Sequence, residues 1–181
     1  MYKVILITGG SSGIGKAIGE YLNDKGYIVY GTSRNISKYP ESKFKLLTLD
    51  VTNNDQIRSC VTHVINEQGR IDVLINNAGV GITGPLEEIP EKEIHKHFKT
   101  NLYGPINMIK AVLPHMRREK KGLIINITSI AGYVGSPFRS VYSAGKAALD
   151  LISETLNMET KEFKINVVSL APGDYLTNIP K

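Results

Sequence analysis

The chain of 181 residues contains a single cysteine, Cys60. One cysteine excludes an intramolecular disulfide framework and fits a reducing compartment, so a cytoplasmic location is expected. Long apolar runs are missing too. Nothing approaches the roughly 20 residues needed to cross a bilayer, and no membrane association is expected. The first apolar run stops at Gly9 and Gly10, which suits an opening strand better than a signal peptide. The four histidines, His63, His95, His97 and His115, lack metal-ligand spacing and read as surface or packing residues; no metal is expected. There is no linker rich in proline or glycine, no repeat and no low-complexity segment, so residues 1–181 are expected to form one domain. The formal charge of +5 is spread along the chain, apart from Arg117-Arg118-Glu119-Lys120-Lys121. That cluster precedes Gly122, where a helix would end and cations are favourable, so nucleic acid is not an expected partner. An anionic cofactor would account for part of the excess.

What the sequence does contain is alternation. Runs rich in Val, Ile and Leu occupy 3–8, 27–31, 45–49, 73–76, 123–128 and 165–170, and several are almost continuously apolar. Strands buried on both faces of a parallel sheet read this way. Segments with helical spacing lie between them, such as Ile14-Ile18-Leu22 and Ile57-Val61-Val64. Strand–helix alternation predicts an α/β, doubly wound parallel sheet. Pro105 suits a helix start, whereas Pro114 is expected to bend or interrupt its helix.

Residues 8–15 read Thr8-Gly9-Gly10-Ser11-Ser12-Gly13-Ile14-Gly15, between the first strand and the first helix. In that context a glycine pattern predicts a dinucleotide site. Gly9 permits a tight turn, Gly13 allows close approach of a pyrophosphate, and Gly15 allows the helix to pack on the sheet. Free N–H groups at the helix start would hold the anion. After the second strand come Ser33 and Arg34, with no acid until Glu41. A carboxylate there would bind a ribose diol, but a guanidinium pairs with a 2′-phosphate, so NADP(H) is expected over NAD(H).

Tyr142-Ser143-Ala144-Gly145-Lys146 puts a phenol and an ammonium on one helix face. An ammonium favours the phenolate form of a neighbouring phenol, which suits proton exchange at Tyr142. Ser129 stands where the fifth strand ends, the side of an open parallel sheet where ligands gather.

The glycine spacing, joined to Ser129, Tyr142 and Lys146, resembles the compact branch of the short-chain dehydrogenase/reductase family. The resemblance runs from Val4 to Thr177. It implies a Rossmann-type sheet of order 3-2-1-4-5-6 with helices on both faces. It also implies a small carbonyl or alcohol substrate, with Tyr142 as general acid/base and Ser129 steadying the substrate oxygen. Lys146 would tune Tyr142 and bind ribose hydroxyls, and Asn101 would support the lysine and a proton-conducting water. An amide bonded to backbone is the other reading of Asn101. Further cofactor contacts are implied at Ser11, Ser12, Ile14, Asp50, Val51, Asn77, Ala78, Gly79, Pro172, Gly173 and Thr177. Asp50 could instead cap the helix starting near Asn53. Family pairing through 102–118 and 140–161 implies a homodimer or homotetramer. Tyr133, Phe138 and Tyr175 are candidates for a substrate lining or for packing.

Two departures stand out. Gly145 replaces a serine common in the family, a loss of helix propensity outside the catalytic set. Family members also usually continue through substrate-covering helices and a seventh strand. A chain lacking them would expose its sixth strand as an edge, and a non-catalytic dinucleotide-binding scaffold is the alternative reading.

Overall fold

Val4, Ile5, Leu6 and Ile7 are all buried, yet they serve two different cores. The computed structural model describes residues 3–173, and these four form its central strand β1 (Val4–Ile7). Because side chains alternate along a strand, Val4 and Leu6 face one side of the sheet while Ile5 and Ile7 face the other. The other strands are β2 (Ile28–Ser33), β3 (Lys45–Thr48), β4 (Val73–Asn76), β5 (Gly122–Ile127) and β6 (Ile165–Leu170). All pair in parallel, in the order β3-β2-β1-β4-β5-β6. The order and the six strands agree with the sequence reading, with ends shifted by a residue or two.

Five α-helices join them: α1 (Gly13–Asp24), α2 (Asn54–Gln68), α3 (Glu91–Phe98), α4 (Gly104–Glu119) and α5 (Ser140–Thr160). On one face, α2 and α4 bury Ile57, Val61, Met108 and Val112 against Leu6, Leu74 and Ile124. On the other face, α1 packs Ile18 and Leu22 over Ile5, Ile7 and Val29. Beyond α1 this second face is less covered, since Val168 and Leu170 of β6 stay 44% and 50% exposed.

Local signals explain the helix ends. Asn53 caps α2, its side-chain oxygen accepting from the Asp55 and Gln56 N–H groups at 3.0 and 3.1 Å. Asp50 therefore does not cap that helix. Its Oδ1 instead accepts from the N–H and hydroxyl of Thr52 in the preceding turn. At the end of α4, Arg117 and Arg118 lie in the last turn and Lys120 takes the left-handed conformation.

Pro105 lies in the first turn of α4, as expected, but Pro114 does not interrupt the helix. Pro114 and Lys110, the residue whose carbonyl loses its donor, are both exposed. Water can satisfy that carbonyl, so the helix continues.

Between α3 and α4 the chain makes a π-helical turn, Lys99–Tyr103, unforeseen in the sequence. Such wide turns re-aim side chains, and this one carries Asn101. Among the described residues, no helix is long and apolar enough to span a membrane.

Candidate active site

At the C-terminal ends of the strands lies a cleft of about 1200 Å³. Its first wall is the turn after β1. Gly9 has φ +64°, and a Cβ there would lie 3.0 Å from the Ala78 backbone. Only glycine meets both conditions easily. Thr8 and Asn77 stitch this turn to the end of β4. Thr8 Oγ1 accepts from the N–H groups of Asn77 and Ala78, each at 3.0 Å. Asn77 Nδ2 donates to the carbonyls of Thr8 and Gly9, also at 3.0 Å. Gly15 faces that amide across the first turn of α1, where any side chain would collide with Asn77 and the Gly9 carbonyl. Ser12 stands at the N-cap of α1 without a side-chain cap bond, which leaves the first N–H groups of the helix free for an anion.

Beside this turn, Ser33 and Arg34 line the cleft where β2 ends. Arg34 is exposed, and no carboxylate pairs with it among the described residues. Asp50 and Val51 line the same wall, as do Ala78 and Gly79. Among the described residues, Arg34, Lys96, Arg139 and Lys146 bring four cations to the cleft against the single acid Asp50. That balance suits an anionic ligand.

The opposite wall carries the candidate reacting groups. Ser129, 9% exposed, follows β5 and its Oγ accepts from the Ala131 N–H at 3.2 Å. The hydroxyl hydrogen remains available to donate into the cleft. Tyr142 and Lys146 lie one turn apart on α5, with Nζ 5.9 Å from the centre of the phenol ring. The Arg139 guanidinium lies 5.7 Å from the same ring. Lys146 is buried, and its Nζ donates to the Ile127 carbonyl at 2.8 Å. Burial pushes its ammonium down to about 8 from the usual lysine value.

Asn101 is 1% exposed and engages Val80 twice. Its Oδ1 accepts from the Val80 N–H and its Nδ2 donates to the Val80 carbonyl, both at 2.8 Å. The lysine is held by Ile127, and no direct Asn101–Lys146 hydrogen bond occurs among the described residues. The geometry thus matches the backbone-bonded reading of Asn101, at a position that still lines the cleft.

The cleft gathers Gly9, Ser11, Ser12, Gly13, Ile14, Pro172 and Gly173 along with the groups above. Gly15 lies outside the lining, in keeping with a packing role. Tyr133 and Phe138 are 61% and 60% exposed. Thr177 and Tyr175 lie outside the described residues.

Sequence reasoning missed Tyr39, which lines the cleft from the loop after β2, and Arg139, at the N-cap of α5. It also undervalued His97. The other three histidines meet surface partners, Glu67 for His63, Glu91 for His95 and Arg118 for His115. His97 is 1% exposed and packs inside the site, its ring 5.8 Å from that of Tyr142. Burial first and the Lys146 ammonium second push its imidazole down to about 4, slightly opposed by a hydrogen bond to the Val80 backbone.

The short chain dehydrogenase family model matches residues 3–181. The chain belongs to that family. It is 49% identical over 175 residues to a 3-ketodihydrosphingosine reductase of Bacteroides thetaiotaomicron, a match covering 97% of this chain and 65% of the relative. Human retinol dehydrogenase 8 is 36% identical over 188 residues, covering 97% of this chain and 60% of that one. The chain therefore spans a little under two thirds of the length of these two relatives. Among solved structures, ElxO with NADP bound superposes with a TM-score of 0.93 at 33% identity, covering 98% and 76% of the two chains. NAD+-bound xylitol dehydrogenase superposes with a TM-score of 0.89 at 29% identity, covering 94% and 70%. Members of the family bind NAD or NADP, and these two neighbours carry one each.

Proposed function

We propose that the protein is an NADP(H)-dependent oxidoreductase that interconverts a ketone or aldehyde and an alcohol. The observation that carries this reading is the convergence of Ser129, Tyr142 and Lys146 on the same cleft as the glycine turn.

The residues present fit a dinucleotide. The free N–H groups after Ser12 suit a pyrophosphate, and Gly9 and Gly13 keep side chains out of its path. Lys146 can donate to ribose hydroxyls, and Arg34 to a 2′-phosphate. A bound nicotinamide supplies or accepts the hydride at the substrate carbon. The chain's own groups govern the oxygen. Ser129 donates to it through the hydroxyl hydrogen its N-cap bond leaves free. Tyr142 gives the oxygen a proton in reduction and takes one in oxidation. Lys146, held by Ile127, provides a fixed positive charge that favours phenolate as that proton leaves. Orientation by this scaffold supplies much of the barrier reduction.

The name of the 49% identical relative makes 3-ketodihydrosphingosine the first substrate to test. Ile130 and Val134, 54% and 68% exposed on the cleft wall, suit the apolar part of such a molecule. Exposed Leu151 and Met158 on α5 and Tyr103 before α4 suit pairing as a homodimer or homotetramer, measurable by light scattering.

The test is NADPH oxidation with that ketone by the wild type and Tyr142→Phe. The variant should bind NADPH within about twofold of the wild type and lose turnover by about 100-fold or more. Retained turnover would defeat the role of Tyr142. NADPH binding by the wild type without turnover of any carbonyl would favour a non-catalytic scaffold.

A further inference from the structure

A buried histidine and a helix-interior glycine face each other beside Tyr142. Gly145 lies in the second turn of α5, inside the helix, where glycine costs about 1 kcal/mol relative to alanine. Its backbone shows no positive φ, so backbone geometry does not call for glycine here. Space does. A Cβ at position 145 would lie 2.7 Å from His97 Nε2, closer than carbon and nitrogen pack.

The imidazole reaches this gap from α3, one helical turn before Asn101. Asn101 Nδ2 lies 3.3 Å from the ring's Nδ1, while its other hydrogen goes to the Val80 carbonyl at 2.8 Å. Both amide hydrogens and the amide oxygen of Asn101 then have partners. On its other side the ring meets Tyr142, with centroids 5.8 Å apart and planes at 59°. His97 therefore touches two candidate site residues on two different elements, and the missing side chain of a third residue makes the contact possible.

We propose that His97 is a positioning residue of this centre: its imidazole, seated in the gap at Gly145, fixes the amide of Asn101 and the ring of Tyr142. The role rests on the reading of Tyr142 as the acid/base group. Removing the imidazole leaves one Asn101 hydrogen unpaired in a buried site and frees the amide to turn, loosening its grip on Val80. Inserting a side chain at 145 displaces the ring from the opposite helix and has the same consequence.

Hydrogen exchange at the Val80 amide reports on the grip of Asn101, because that N–H donates to Asn101 Oδ1, and Gly145→Ser reads it with the histidine still present. In the full chain, His97→Phe keeps the ring shape without an acceptor. It should speed Val80 exchange by about 10-fold. It should also lower kcat for NADPH-dependent ketone reduction by about 10-fold or more, with KM for NADPH within about twofold. His97→Gln, which restores an acceptor, should recover both to within about threefold of the wild type. Gly145→Ser should reproduce the faster exchange with the histidine intact. Wild-type Val80 exchange in a folded His97→Phe or Gly145→Ser variant overturns the proposal whatever the activity. Failure of the acid/base reading is seen separately, as retained turnover in Tyr142→Phe with the Val80 result unchanged.

Discussion

Lys146 Nζ donates to the carbonyl of Ile127, 2.8 Å away, and the lysine side chain is buried. A charge this buried is held against its solvation preference, and only one hydrogen bond compensates among the described residues. Burial lowers its pKa to about 8 from 10.5. The folded state therefore binds this proton less tightly than the unfolded chain. The penalty is fully present below pH of about 8 and is relieved as pH rises toward about 10.5.

Lys146→Met should therefore raise the stability of the cofactor-free protein at pH 7 by about 1–3 kcal/mol, while abolishing turnover. Urea unfolding at pH 7 and at pH 9.5 measures it. The advantage of the variant should shrink at the higher pH, where the wild-type lysine is increasingly neutral. A variant less stable than the wild type at pH 7 would show that the Ile127 bond outweighs desolvation.

Gly15 and Gly79 belong to neighbouring motifs, but the structure separates them. A side chain at 15 meets the Asn77 amide and the Gly9 carbonyl, and the carbonyl is backbone that cannot swing aside. At 79 the nearest atom to a Cβ is Asn101 Oδ1 at 3.4 Å, ordinary contact. Gly15→Ala should cost about 2 kcal/mol or more in thermal or urea unfolding and weaken NADPH binding, because Asn77 must release Thr8 or Gly9. Gly79→Ala should fold with a loss below about 1 kcal/mol. Equal losses in the two variants would mean that the stitch through Asn77 carries no special weight.

Arg34 tests the cofactor preference. An exposed guanidinium without a carboxylate partner, at the end of β2, suits a 2′-phosphate. Wild-type KM for NADPH should be at least about 10-fold below that for NADH. Arg34→Asp should reverse the order, since a carboxylate repels the phosphate and accepts from a ribose diol. Equal use of both cofactors by the wild type would remove Arg34 as the selector.

The six strands were legible because each is a short apolar run, and burial on both sheet faces enforces that pattern locally. The glycine turn, Ser129 and the Tyr142–Lys146 pair were legible for a similar reason: turn geometry and helical spacing are short-range. His97 was not. Its spacing from Asn101 is visible in the chain, but its burial depends on α5 arriving with a gap at Gly145, a contact across 48 positions. Gly145 read only as a loss of helix propensity for the same reason. The π-helical turn at Lys99–Tyr103 left no mark because it needs no special residue. Pro114 misled because the rule against proline assumes that its orphaned carbonyl is buried, and here Lys110 is at the surface.

A buried polar chain ties α5 to the sheet. Asn76 Nδ2 on β4 donates to Asn126 Oδ1 on β5 at 2.8 Å. Asn126 Nδ2 donates to Ser153 Oγ on α5 at 2.8 Å, and that hydroxyl donates to the Leu149 carbonyl at 2.6 Å. Asn126 is completely buried, and Asn76 Oδ1 has no hydrogen-bond partner among the described residues. Truncating the middle of such a chain orphans groups on both sides, whereas truncating its end orphans one. Asn126→Ala should therefore cost about 3 kcal/mol in urea unfolding, against about 1 kcal/mol for Ser153→Ala. The double variant should cost less than the sum, because once Asn126 is gone Ser153 has lost its donor. Additive losses would mean that the two bonds act independently.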